Sequence, residues 1–520
     1  MELVRSFCLL SLLASTAAAS NDWLNHGGNL LNRRFVDKET KISPGTASRL
    51  RLKWKFNAGR DISATPAIFD GTLYFPSWDG YIYAIKASNG GLLWKKNLQH
   101  LTGLNSTGAI FDFDPKITVS RSTPVIAHDM LVFGLGGPAY VVAVKRFNGR
   151  LVWLTQLDKH SKALITMSGT YYKGHVYVGT SSNEETVSIE QCCIFRGSFV
   201  KLNARTGKIL WRTYMLPDNF GRLGEYAGAA VWGSSPSIDI YRNHVYIATG
   251  NLYSAPKNIR HYSIIALDLD TGKIKWFNQL GGYDVWFFAC NNVSNPKCPP
   301  GPNLGDDFAA APMMLTTYVD GIKRDLAVAV QKSGFAWALD RDNGKLIWST
   351  FVDKILRDIH YHTLTGNLER RKLDLVASQV EELGEPPQMK RGSTPTLLTP
   401  IARTSPYSHL QRSRQPVGGW RWSGRVLWST ADPSNGTANG PVTVANGVLI
   451  GGSTFRQGPI YAMNAMTGEI LWSYKTGATI CGGALVSNGC IYLGHGYKVS
   501  VGLSDPGFTA GNSLFAFCVA

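Results

Sequence analysis

Two adjacent cysteines, Cys192 and Cys193, form the most unusual reactive pair in the chain. Neighbouring Cα atoms lie about 3.8 Å apart, closer than an ordinary disulfide spans. A bond between them would close a strained ring; the alternative is two cysteines with different partners. Cys290 and Cys298 bracket a short Asn/Pro loop and are expected to pair, while Cys481 is left over as a core thiol. Disulfides imply an oxidising compartment, and the N-terminus agrees. Residues 1–5 carry positive charge, 6–14 form a short apolar run, and Ala17-Ala18-Ala19-Ser20 supplies the small residues a signal peptidase needs. The run is far shorter than the roughly 20 residues that span a bilayer. Residues 1–20 therefore read as a signal peptide, and the mature chain as secreted to the extracellular space, a cell wall or apoplast. Sequons at Asn105, Asn292 and Asn435 suit that route as glycosylation acceptors. No C-x-x-C-H occurs, so no covalently attached haem is expected.

The elements that must position any site come from a repeat. The 520 residues include 54 Gly and 15 Trp, a usage that suits many short strands joined by glycine turns. One pattern recurs: a strand carrying Ala, a turn ending in Gly, then a strand ending in Trp. It runs from Ala84 through Asn89-Gly90 to Trp94, and from Ala143 through Asn148-Gly149 to Trp153. It returns at Ala204 to Trp211, Ala266 to Trp276, Ala338 to Trp348 and Ala462 to Trp472. Asn-Gly and Thr-Gly supply the positive φ of a tight hairpin, and the alternation of apolar and polar residues marks half-buried strands. Each copy is preceded by a further strand pair, such as Ala67-Ile68-Phe69 with Thr72-Leu73-Tyr74-Phe75, so one copy makes a four-stranded propeller blade. Trp94, Trp153, Trp211, Trp276, Trp348, Trp428 and Trp472 end seven copies. The C-terminal strand around Ser513 to Cys518 lacks a following Trp strand, and Leu52 to Phe56 can supply it. The expectation is therefore an all-β, eight-bladed propeller closed by N- and C-terminal strands in one blade, which removes exposed strand edges. Cys490 and Cys518 fall on strands of that closing blade, where a bond would bolt it shut. Residues 21–520 form one domain on this reading. The stretch 353–416 breaks the pattern where most of blade six should lie. It is either a long functional insertion or, better fitting its abrupt edges, an error in the gene model.

The repeat resembles the PQQ-type repeat of the quinoprotein alcohol dehydrogenases, and most closely the plant secreted proteins called polyvinyl-alcohol-dehydrogenase-like. The resemblance covers nearly all of residues 21–518 and implies a planar anionic quinone, PQQ, on the propeller axis, with a divalent cation, usually calcium, beside it. Ala230-Val231-Trp232-Gly233 matches the stretch whose Trp forms the quinone's floor, making Trp232 the stacking candidate. Glu184 and Asn251 fall where the family has metal-ligating oxygens, and such hard donors suit calcium. Lys332, in Gln331-Lys332-Ser333-Gly334, matches a basic residue beside the quinone oxygens, where a cation would stabilise the reduced form. Thr166 and Arg196 join the cofactor-contacting set. Several quinoprotein dehydrogenases carry a ring of adjacent cysteines over the cofactor, which gives Cys192–Cys193 a capping role, although in this chain the pair lies in a later blade. The family's catalytic carboxylate directly follows a Trp. Here Phe287 follows Trp286, and Phe accepts no proton; Asp284 is the nearby substitute.

Two function classes follow. The first is a secreted PQQ-dependent dehydrogenase that oxidises an alcohol, polyol or sugar and passes electrons to an external acceptor. The second is a non-catalytic extracellular propeller that binds carbohydrate or protein, which Phe287 and the altered blade six favour. A glycosidase would need paired carboxylates near the axis, and none is located. The net charge of +17 suits attraction to acidic cell-wall polysaccharide. Scattered basic residues on an exported chain argue against nucleic acid, no other segment reads as a membrane span, and the protein is expected to act as a monomer.

Overall fold

Strand burial follows the repeat. In the blade that ends at Trp153, the strands Val125–Ala127 and Met130–Gly134 are buried throughout, Tyr140–Lys145 at its centre, and Leu151–Gln156 only at Trp153. Continuous apolar runs therefore occupy the inner, doubly covered strands, and alternating sequence takes the outer one. The computed structural model of the chain describes residues 22–110, 116–255, 263–281, 285–290, 298, 306–351, 374–377, 428–438, 440–503 and 505–520. The signal-peptide reading of 1–20 and nearly all of 353–416 lie outside the described residues.

Six four-stranded antiparallel sheets and one five-stranded sheet give seven blades among the described residues, not the expected eight. Blades 1 to 5 span 67–97, 125–156, 170–214, 237–279 and 313–351, a sixth spans 443–475, and a seventh closes the ring. The correction falls at Trp428. Among the described residues its strand, Trp428–Ala431, pairs with Asp374–Ala377 alone, in a two-stranded ladder. The sequence of 353–416 lacks the apolar alternation and glycine turns of the other copies. In the closing blade Leu50–Asn57 pairs antiparallel with Ser513–Val519, from Leu50 opposite Val519 to Asn57 opposite Ser513. Cys490 and Cys518 face each other across that blade and are bonded. A cross-link of this kind contributes about 3 kcal/mol by restricting the unfolded chain.

The turn glycines and tryptophans have a common contact. The Trp of one blade lies under the turn of the next, its indole N–H donating to a turn carbonyl: Trp153 to Ala204 at 2.9 Å, Trp211 to Leu269 at 3.2 Å, Trp276 to Arg341 at 3.0 Å. At Gly272 (φ +70°) an added Cβ would sit 2.6 Å from the Trp211 ring. The glycine is thus required by both backbone conformation and contact.

The segment 22–36 runs round the inner strands of the ring. Its backbone bonds in turn to the inner strands of blades 1, 2, 4, 5 and 6, at Ile68, Ile126, Ile238, Met314 and Val444. Arg34 anchors it, donating to the carbonyls of His26, Val442 and Ala484 and to the hydroxyls of Thr65 and Thr443. Among the described residues, no helix is long and apolar enough to cross a membrane.

Candidate functional site

Loops entering the inner strands of blades 3, 4 and 5 carry Thr166, Trp232 and Asp307, and the turns leaving the second strands carry Ser181, Asn251 and Lys332. Inner strands line the axis, so these loop ends gather at one end of it. The hydroxyl of Thr166 donates to the Trp232 carbonyl at 2.7 Å and lies 3.0 Å from that of Ser181. A bridge from Gly233 to Ala310 ties the Trp232 loop to the Asp307 loop. An added Cβ on Gly250 would lie 2.6 Å from Trp232 Nε1 and 3.0 Å from Asp307 Oδ1. Glycine at this position lets indole and carboxylate approach one point.

Asp307 is the hub. Its Oδ1 accepts the Asn251 backbone N–H at 2.5 Å, and its Oδ2 accepts from Lys332 Nζ at 2.5 Å. The Lys332 N–H also donates to the Asp307 carbonyl. Asn251 spends its amide nitrogen on the carbonyls of Trp286 (2.6 Å) and Leu252 (2.9 Å), which leaves its Oδ1 buried without a partner. Glu185 Oε2 is likewise sealed and unpaired. Burial, and then the negative charge of Asp307, raise the Glu185 carboxyl well above its usual range, with Lys332 opposing. Burial works against the Lys332 ammonium, but Asp307 and Glu185 outweigh it, and its pKa stands above the ordinary lysine value. No cluster of three His, Cys, Asp or Glu side chains is found among the described residues. The oxygen set here consists of two carboxylates and one carboxamide, and unsatisfied buried oxygens of this kind suit a hard divalent cation.

Residues 23–293 match the PQQ family, described as the glucose/ethanol/alcohol dehydrogenase β-propeller domain. The chain belongs to this family. Residues 420–510 match a second family, described as outer membrane protein assembly factor BamB. Polyvinylalcohol dehydrogenase of Pseudomonas sp. is 27% identical over 530 residues, covering 96% of this chain and 77% of the relative. The polyvinylalcohol dehydrogenase of Sphingopyxis sp. is 28% identical over 551 residues, with the same coverage of 96% and 77%. The quinohemoprotein alcohol dehydrogenase of Comamonas testosteroni shares the fold with a TM-score of 0.68 at 19% identity, over 97% of this chain and 81% of that one.

Of the residues singled out in this PQQ-family sequence, Trp232, Thr166, Asn251 and Lys332 come together. Glu184 lies beside them, but both its oxygens are occupied: they accept the backbone N–H groups of Ile194 (2.9 and 3.0 Å) and Phe195 (2.8 Å), and Oε1 lies 3.0 Å from His160 Nε2. The free acidic oxygen is that of the next residue, Glu185. Arg196 is engaged elsewhere, paired with Asp218 at 3.1 Å and stacked on Tyr214. Asp284 lies outside the described residues, and Phe287 is buried in the apolar core. Asp307 went unremarked in the sequence. Its signal is position: like Thr166 and Trp232 it stands a few residues ahead of an inner strand, in the pair Asp306-Asp307.

Cys192 is bonded to Cys193 and Cys290 to Cys298, while Cys481 is free. Burial raises the Cys481 thiol far above its ordinary value, which makes it a poor nucleophile. Asn105 and Asn435 are exposed, and Asn292 lies outside the described residues.

Proposed function

We propose that this chain oxidises an alcohol with PQQ, with calcium held by the open oxygens of Glu185 and Asn251. The observation that carries the reading is the pair of buried, unpaired oxygens, Glu185 Oε2 and Asn251 Oδ1, set around the Asp307–Lys332 ion pair. The groups present fit both cofactors. The half-buried Trp232 ring offers an aromatic face, and its Nε1 has no protein partner. Lys332 offers a cation, and the Glu185 and Asn251 side chains offer oxygen. When bound beside these residues, PQQ would supply a hydride-accepting carbonyl and calcium a Lewis acid.

Asp307 is the proton acceptor in this scheme. Its carboxylate takes the hydroxyl proton of the alcohol, and the Lys332 ammonium bonded to it offsets negative charge that develops nearby. Asn251 fixes Asp307 through its backbone N–H. Thr166 holds the Trp232 carbonyl and with it the tilt of the indole. The loop that follows Trp286 thus need not supply the base, and Phe287 packs as core. The substrate is an alcohol, polyol or sugar, as the polyvinylalcohol and alcohol dehydrogenases named above suggest. Electrons leave to an external acceptor. We place the protein outside the cell, as a monomer whose +17 charge favours acidic polysaccharide.

Purified protein supplied with PQQ and calcium chloride should reduce a redox dye when a primary or secondary alcohol is added. Dye reduction that is equally fast without PQQ, or absent with it across simple and polymeric alcohols, would contradict the proposal.

A further inference from the structure

Glu184 is buried, acidic and one residue from the site, yet nothing in the scheme above uses it. We infer that Glu184 is a positioning residue: with His160 it clamps the turn Glu184–Thr186 to the chain just after the Cys192–Cys193 bond, and so aims Glu185 at Asp307. This rests on reading Glu185 as a cation-holding oxygen.

The clamp is built from both directions. Glu184 accepts from the amides of Ile194 and Phe195, the two residues that follow the bonded cysteines. His160 Nδ1 accepts the Lys162 N–H at 3.2 Å, so its hydrogen sits on Nε2 and is donated to Glu184 Oε1. On the far side Asn219 Nδ2 donates to the Ile194 carbonyl at 2.6 Å and to the Tyr226 carbonyl at 2.9 Å. The turn itself is pinned at its base. The Glu184 N–H donates to Ser182 Oγ at 2.9 Å, and the Tyr253 hydroxyl donates to the Ser182 carbonyl at 2.9 Å. With Glu184 fixed inward by so many bonds, the following side chain leaves the turn in a single direction. The turn packs against the short helix Phe288–Cys290, next to the Trp286 carbonyl that Asn251 holds, and Asp307 and Lys332 are the charges that act on the Glu185 carboxyl. A metal ligand held by a second layer of hydrogen bonds loses affinity when that layer is cut.

The test is calorimetric titration of the full chain with calcium chloride alone, alongside thermal unfolding and a non-reduced peptide map of each variant. Glu185→Gln should abolish calcium binding. Glu184→Gln and His160→Ala should each weaken it about 10- to 100-fold, in protein that is still folded and still bonded at Cys192–Cys193. The double variant should bind no worse than the weaker single one, because both act through one contact. If Glu184→Gln does not fold, His160→Ala carries the test alone. Wild-type affinity in His160→Ala, or loss in Glu184→Gln as complete as in Glu185→Gln, would overturn the clamp while leaving the site intact. Wild-type affinity in Glu185→Gln would overturn the site reading and the clamp with it.

Discussion

Two clusters of charge, each built around a buried carboxylate, lie in blades 3 to 5, and they are built differently. At the first, Asp239 accepts from Arg242 at 3.1 Å and Arg341 at 3.0 Å, Arg341 also holds Asp325 at 2.8 Å, and Arg242 reaches Asp325 and Asp342 at 2.9 and 2.6 Å. Every carboxylate there has a guanidinium. At the second, Lys332 is paired with Asp307, and the neighbouring Glu185 and Asn251 each keep an oxygen that nothing in the protein satisfies. Leaving a buried polar atom unpaired costs on the order of 1–3 kcal/mol. A cluster whose carboxylates are all paired within the protein, with the donor Arg341 Nε left over, holds blades together, whereas one that leaves oxygens open on the axis is arranged for something that arrives from outside.

Substitution should separate the two. Asp307→Asn keeps the shape but accepts no proton, and alcohol oxidation per folded molecule of the reconstituted protein should fall about 1000-fold, with a loss of stability beside it because Lys332 loses its carboxylate. Asp239→Asn should lower stability alone. It takes a shared carboxylate charge from the buried Arg341 and the half-buried Arg242, which keep Asp325 and Asp342, and should cost about 1–3 kcal/mol in denaturant unfolding, while turnover per folded molecule stays at the wild-type rate. A loss of turnover in Asp239→Asn that matches Asp307→Asn would erase the contrast.

A third buried ionisable group sharpens the comparison, because it has no acid partner. His495 in the closing blade lies 3.2 Å from Thr476 Oγ1 and edge-on to Phe515. Burial, with the nearby Lys55 charge adding to it, pushes its pKa down to about 4. The unfolded chain takes a proton at this residue near pH 6.5, as free histidine does, and the folded chain not until about 4. The stability it contributes is therefore whole above about 6.5 and lost as pH falls toward 4, a change on the order of 3 kcal/mol. Thermal unfolding of wild type and His495→Gln at pH 7.5 and 4.5 should show the smaller acid loss in the variant. At Gly272, alanine should cost about 1–3 kcal/mol, because its Cβ meets the Trp211 ring at a positive φ; differential scanning calorimetry would register it.

The propeller was legible in the sequence because each turn glycine and each outer Trp record one physical contact between neighbouring blades. That same contact explains the error in the count. Trp428 Nε1 donates to the Ala465 carbonyl at 3.2 Å, and Gly468 sits over its ring, as happens at Trp94, Trp153, Trp211 and Trp276. The Trp thus reports the blade that follows it and says nothing of whether its own sheet has four strands. At the site, Trp232, Asn251 and Lys332 were readable because short motifs at strand ends carry them. Glu184 and Glu185 were not separable, because the single turn that decides which one faces Asp307 leaves no mark in an acidic pair. Asp307 was missed because the carboxylate was sought directly after Trp286, where the chain has a core Phe.

The central claim is that the open oxygens and the Trp232 ring together receive a quinone and a cation. Titration of the full chain with PQQ, followed by tryptophan fluorescence with and without calcium chloride, tests it directly. The account predicts saturable quenching at one quinone per chain that tightens with calcium and disappears in Trp232→Ala. Quenching that never saturates, or that is unchanged in Trp232→Ala and indifferent to calcium, would contradict it.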